Sequence, residues 1–165
     1  MKKILMKITS RERPEQLLRT TKAYIDKANN LDDMFWLFTF DKDDKQYNDA
    51  TFTDRLAELF DFYEKIQVVI CYGDRAGKIG AINANVSTLN EGHPNYELGK
   101  EWDILLNISD DQVPIRNGYD DLIRRTMPDD LDASLWFTDG QPRVNTQEIV
   151  GRKYYERFGY IYHPS

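Results

Sequence analysis

Three near-continuous apolar runs, "MFWLFTF" at 34–40, "IQVVICY" at 66–72 and "WDILLNIS" at 102–109, do most to limit what this chain can become. A strand with one wet face alternates apolar and polar residues, whereas runs like these suit strands covered on both faces of a parallel sheet. Between them, apolar residues recur at three- and four-residue intervals. Leu17, Leu18, Thr21, Tyr24, Ile25 and Ala28 share one helical face; Phe52, Leu56, Leu59, Phe60 and Tyr63 share a second; Ile79, Ile82, Val86 and Leu89 share a third. Pro14 stands where a first-turn proline belongs, because its missing N–H has no partner there. "KKILMKIT" opens the chain as a further strand. The later stretches read as helix in "GYDDLIRRTM", strand in "SLWFTDG", short helix in "GRKYYERFG" and an extended start in "YIYHPS", with "EGHPNYELGKE" a polar loop. Strands alternating with helices give an α/β fold: one Rossmann-like domain, a mainly parallel central sheet with helices on both faces.

The chain has 165 residues, enough for one domain with a real core and too few for two, so a single domain over 1–165 is expected. A net charge of −6 argues against a groove for nucleic acid polymers, which needs clustered Lys and Arg. Cys71 is the one cysteine and has no internal disulfide partner, as in a reducing compartment. Two lysines after Met1 lead straight into "ILMKITSRERPE" without a signal peptide's apolar core and cleavage site, and no apolar run has the length of a membrane span. A cytoplasmic address is the expectation.

In parallel sheets ligands bind beyond the carboxyl ends of the strands. Four polar stretches begin there: "TSRER", "DKDD", "YGDRAGK" and "SDD". Asp110 and Asp111 suit a hard divalent cation bridging to a diphosphate, the competing reading being a solvated loop or helix cap. Thr9, Ser10, Arg11 and Arg13 offer hydroxyls and planar donor forks to a nucleotide, the competing reading being surface arginines paired with Glu12 or Glu15. Asp41, first past its strand, suits a ring N–H or ribose hydroxyls, and Lys78 opens the third helix near its positive end, although a lone lysine is commonly a surface residue. His93 and His163 lack partners at zinc-ligand spacing. "GDRAGKIG" has the wrong spacing for a phosphate-binding loop or a dinucleotide fingerprint. A phosphoacceptor receiver domain would want its acid pair after the first strand, whereas this one follows the fourth.

Taken in order, "TSRERPE", "FTFDKDD", "CYGDRAGKIGAINA", "WDILLNISDDQVPIRNGYDDLIR", "LWFTDG" and "GRKYYERFGYIYHP" resemble a nucleotide-sugar-dependent glycosyltransferase of the GT-A fold, close to the family-two type, over nearly the whole chain. The resemblance implies sugar transfer from a nucleoside diphosphate donor, UDP-linked, to an acceptor, assisted by Mn2+ or Mg2+. It assigns Asp111 as metal ligand, Asp110 to the ribose or the metal, Thr9, Ser10, Arg11 and Arg13 to the first nucleotide loop, Asp41 to the base and Lys78 to the loop closing over the nucleotide. Ser109 replaces the first acid of the family's Asp-x-Asp motif. The general base stays unassigned: Asp139 is the nearest nominee, and "YIYHPS" stops in what reads as mid-element, as in a chain truncated at its C-terminus. The runner-up is a nucleotide or nucleotide-sugar binding module without turnover.

Overall fold

The computed structural model describes residues 1–63, 65–86, 102–137 and 147–164. Strand β1 (Ile4–Thr9) is followed by α1 (Pro14–Lys27), β2 (Met34–Asp41), α2 (Ala50–Glu58), β3 (Gln67–Gly73), α3 (Gly77–Asn83) and β4 (Ile104–Ser109). Then come α4 (Tyr119–Thr126), β5 (Ser134–Leu135), β6 (Ile149–Gly151) and α5 (Arg152–Phe158). They form a six-stranded sheet in the order β3-β2-β1-β4-β6-β5. β1 to β4 run parallel, while β6 lies antiparallel between β4 and β5. The order reverses at β1 and β4, so a crevice opens between their carboxyl ends.

The apolar strands are buried because both faces are covered. Ile4, Met6 and Ile8 of β1 join Trp36, Phe38 and Phe40 of β2 under Leu17, Tyr24, Phe52 and Tyr119 on one side. Leu5, Phe35, Leu37 and Leu105 meet Ile82, Trp102, Tyr155 and Ile161 on the other. The period of two in each strand sorts these residues between the two layers.

Several elements differ from their sequence reading. The second helix ends at Glu58, so Leu59, Phe60 and Tyr63 lie beyond it. The third helix stops at Asn83, because Ala84 is extended and Asn85 takes a positive φ of 67°. Val86 is buried beyond the helix, and Leu89 falls outside the described residues. The Asn83 carboxamide instead clamps the chain's last segment: it accepts from Ile161 N at 2.8 Å and Tyr162 N at 3.0 Å and donates to Tyr162 O at 2.7 Å. "YIYHPS" is therefore bent back onto the second layer rather than begun as a strand. Of "SLWFTDG" only Ser134 and Leu135 pair, and 138–140 lie outside the described residues. β6 was not legible as a strand, since three residues carry no periodicity.

Candidate nucleotide-sugar site

Register places two rows of side chains across the sheet on the α3 and α5 face. Ser109, Thr9, Thr39 and Cys71 form the row at the strand ends, and Asn107, Lys7, Leu37 and Val69 the row below. The upper row presents hydroxyls, and the lower one puts a lysine and an asparagine in an otherwise apolar sheet. Over this polar band lies a cleft of about 570 Å³. Thr9, Ser10, Arg11 and Arg13 from the β1–α1 loop line it, with Thr39 and Asp41 of β2, Arg75 and Lys78 around the start of α3, Asn107 and Ser109 of β4, and Tyr162. Asn107 and Tyr162 had no place in the sequence reading, and Arg75 entered it only as part of "YGDRAGK".

Lys7 is wholly buried under the cleft floor and donates to Thr39 Oγ1, whose hydroxyl lies 3.1 Å from Asn85 Oδ1. Burial disfavours the ammonium and brings its pKa down to about 7, with the nearby Cys71 thiol a smaller opposing influence. Asn107 is buried too, and its Oδ1 has no hydrogen-bond partner among the described residues. A buried carbonyl oxygen left open beside a cleft is an acceptor waiting for a donor.

The two loops flanking the cleft are braced against each other. Arg11 Nη1 donates to Asp41 at 2.6 Å and to Asp43 at 2.7 Å. These bonds, Asp43 first, raise the pKa of the guanidinium and hold Asp43 below the usual carboxylate range. Asp44 is buried and accepts from Glu12 N at 2.7 Å and Gln46 N at 3.0 Å, which secures Glu12 in its left-handed conformation. The acid run "DKDDKQYND" thus carries two structural acids where the sequence reading singled out only Asp41. Tyr47, stacked on Phe40 with ring centroids 4.2 Å apart, sends its hydroxyl to Ser10 Oγ at 2.6 Å.

The adjacent acids diverge. Ser109 and Asn107 point into the cleft, so the next residue, Asp110, turns to the opposite face. Its carboxylate is fully buried, accepts from the Ser10 hydroxyl and sits 2.8 Å from Arg13 Nη2 in an ion pair without hydrogen-bond alignment. Its carbonyl accepts from Thr20 of α1 at 2.5 Å. Asp111 is exposed on the turn beyond, beside Arg13, Arg19 and Gln46. The Ser109 hydroxyl, and at longer range Arg13 and Lys78, hold its pKa below the ordinary value. An ion shared by the two aspartates would have to displace Arg13 from Asp110 Oδ1 and draw Asp111 in from the exposed turn, which this arrangement does not favour. Among the described residues no group of three or more His, Cys, Asp or Glu side chains converges as a metal site. Asp139 and His93 lie outside the described residues, and no helix among the described ones is long and apolar enough to cross a membrane.

No family model matches the sequence, and no curated protein matches it. Solved structures do match by fold. A mannosyltransferase from Pyrobaculum calidifontis, in complex with GDP-Man and Mn2+, superposes with a TM-score of 0.72 at 11% identity, over 96% of this chain and 47% of that one. S. aureus TarS 1-349 does so with a TM-score of 0.57 at 10% identity, over 94% of this chain and 48% of that one. The chain spans about half the length of each. What they share with it is the fold.

Proposed function

We propose that residues 1–165 form the nucleotide-sugar half of a glycosyltransferase, which transfers a sugar from a nucleoside diphosphate donor to an acceptor. The GT-A-like fold supports the reading, and the cleft occupies the place where such sheets hold their ligands. One observation carries the reading: the polar row Ser109-Thr9-Thr39 lies at the reversal of strand order, beneath a wall bearing Arg13, Arg75 and Lys78. Arg75 and Lys78 make no ion pair among the described residues, so their charge is available to a diphosphate. Asp41, half-buried at the end of β2, meets the base or ribose; Thr9 and Ser10 bond nearby oxygens. Loss of the nucleoside diphosphate develops negative charge on the leaving oxygens, and fixed cations beside them stabilise that state more than the ground state. Any ion brought in with the donor would find Asp111 as its exposed carboxylate, and no step is assigned to it.

A second reading, a nucleotide-sugar binding module without turnover, is favoured by one feature. Among the described residues the carboxylate lining the cleft is Asp41, which is engaged by Arg11 and so is poorly placed as a general base. The deciding experiment is calorimetry with a panel of UDP- and GDP-sugars, followed by measurement of nucleoside diphosphate release with mixed acceptors. Binding with release supports the transferase, binding without release supports the module, and no binding by any donor sinks both.

A further inference from the structure

We infer that this cleft grips a nucleoside diphosphate through the chain's own cations, Arg75 and Lys78 with Arg13 beside them, and needs no divalent ion to do so. The inference rests on the nucleotide reading above and adds how the charge is balanced.

An ion bridging protein and diphosphate requires carboxylate oxygens that face the phosphates. The fourth strand is the natural source, and its cleft-facing residues are Asn107 and Ser109, both neutral. The acid that follows, Asp110, is fully buried, with Oδ2 accepting from Ser10 and Oδ1 held only by the charge of Arg13 at 2.8 Å, so an ion could reach it only by displacing that arginine. The acid that lines the cleft, Asp41, lies 2.6 Å from an Arg11 nitrogen. Among the described acids at the edge, Asp43 is engaged by Arg11, and Asp111 is exposed with the hydroxyl of Ser109 as its first partner. Against this shortage of donors stands a surplus of positive charge. Arg75 and Lys78 sit on the α3 side of the cleft, exposed and unpaired among the described residues, and Arg13, half-exposed, spends only one edge of its guanidinium on Asp110. The diphosphate of a nucleotide sugar carries roughly one charge per phosphate and a free nucleoside diphosphate roughly one more, which Arg75 and Lys78, with Arg13 beside them, can match with charge-assisted hydrogen bonds. Below them the open Asn107 Oδ1 accepts from a ligand N–H or hydroxyl. It would not serve a phosphate oxygen, so it orients the remainder of the ligand rather than its charge.

Calorimetry of the whole chain with UDP and with GDP, once in EDTA and once in Mn2+, tests this. The expected result is one dissociation constant for the preferred nucleotide, the same within about twofold in both buffers, weakened about tenfold by Arg75→Gln and by Lys78→Gln. Both side chains are exposed, so unchanged melting temperatures will show that the variants fold. Affinity that appears only with Mn2+ and disappears in Asp111→Asn overturns the inference and leaves the nucleotide reading standing. Binding in EDTA that ignores both cation variants overturns it as well. If neither nucleotide binds in either buffer, the nucleotide reading itself is lost.

Discussion

Arg13 and Asp110 stand 2.8 Å apart, the arginine half-exposed at the edge of the cleft and the aspartate wholly closed to solvent. The aspartate also receives the Ser10 hydroxyl, and Ser10 receives the Tyr47 hydroxyl, so one buried charge ties β1, β4 and the β2–α2 loop together. Breaking a buried pair from the acid side leaves the cation needing a partner. Here Arg13 can turn to water, which lowers the cost. Asp110→Asn is expected to destabilise the fold by about 2–3 kcal/mol, measured by urea unfolding. Asp111→Asn, on the exposed turn, is expected to stay within about 0.5 kcal/mol of the parent. Equal effects at the two positions would mean that Asp110 is not the scaffold acid described above.

Lys7 makes stability depend on pH in an unusual range for a lysine. Its ordinary pKa of 10.5 falls to about 7 in the fold through burial. Between those values the unfolded chain holds the proton and the folded chain does not, so this residue makes stability rise with pH across that window. The penalty is felt in full below about pH 7 and vanishes above about pH 10.5. Lys7→Met removes it. Its stability relative to the parent is expected to be most favourable near pH 6 and to decline by on the order of a few kcal/mol toward pH 10. Urea unfolding of both proteins at several pH values checks this, and a flat difference would show that Lys7 stays charged when folded.

The junction of β6 and α5 is closed by the absence of a side chain. A Cβ on Gly151 would lie 2.2 Å from the Leu131 carbonyl oxygen and 2.6 Å from its carbon, both backbone atoms that cannot swing away. Gly151→Ala is expected to cost about 3 kcal/mol through the forced backbone shift. Gly73→Ala serves as control, because a Cβ there meets nothing within 4 Å. A thermal melt showing the two variants alike would deny the close approach.

The sheet could be read from the sequence because its four parallel strands are long, apolar and separated by helices with clean periodicity. Burial on both faces leaves such residues little choice of conformation. β6 could not, since at three residues it is held by its neighbours and by room at Gly151 rather than by its own pattern. Thr9, Ser10, Arg11, Arg13, Asp41 and Lys78 come together at one cleft for a topological reason, the convergence of strand ends, which needs no knowledge of contacts. Asn107 and Lys7 went unread, although each left a signal as a lone polar residue in an apolar strand at the same phase as the hydroxyl two positions on. What adjacency in the chain concealed was direction. Asp110 and Asp111 are neighbours in sequence, yet one passes behind the sheet and the other stays on the surface.

If the neutral residues of β4 set the cleft's independence from an ion, supplying a carboxylate there should reverse it. Ser109 is half-buried, lines the cleft and pairs in register with Thr9, so an acid at this position would lie against the diphosphate next to Asp111. In EDTA, Ser109→Asp is expected to weaken UDP or GDP binding about tenfold, because a carboxylate then faces phosphate across a partly desolvated gap. In Mn2+ the new acid and Asp111 make the paired donor set that the parent lacks, and the affinity should recover. Paramagnetic resonance titration of Mn2+ in the presence of nucleotide should find a bound ion in the variant and none in the parent. A loss of affinity equal in both buffers would show that position 109 does not face the phosphates, and the geometry assigned to β4 would have to be abandoned.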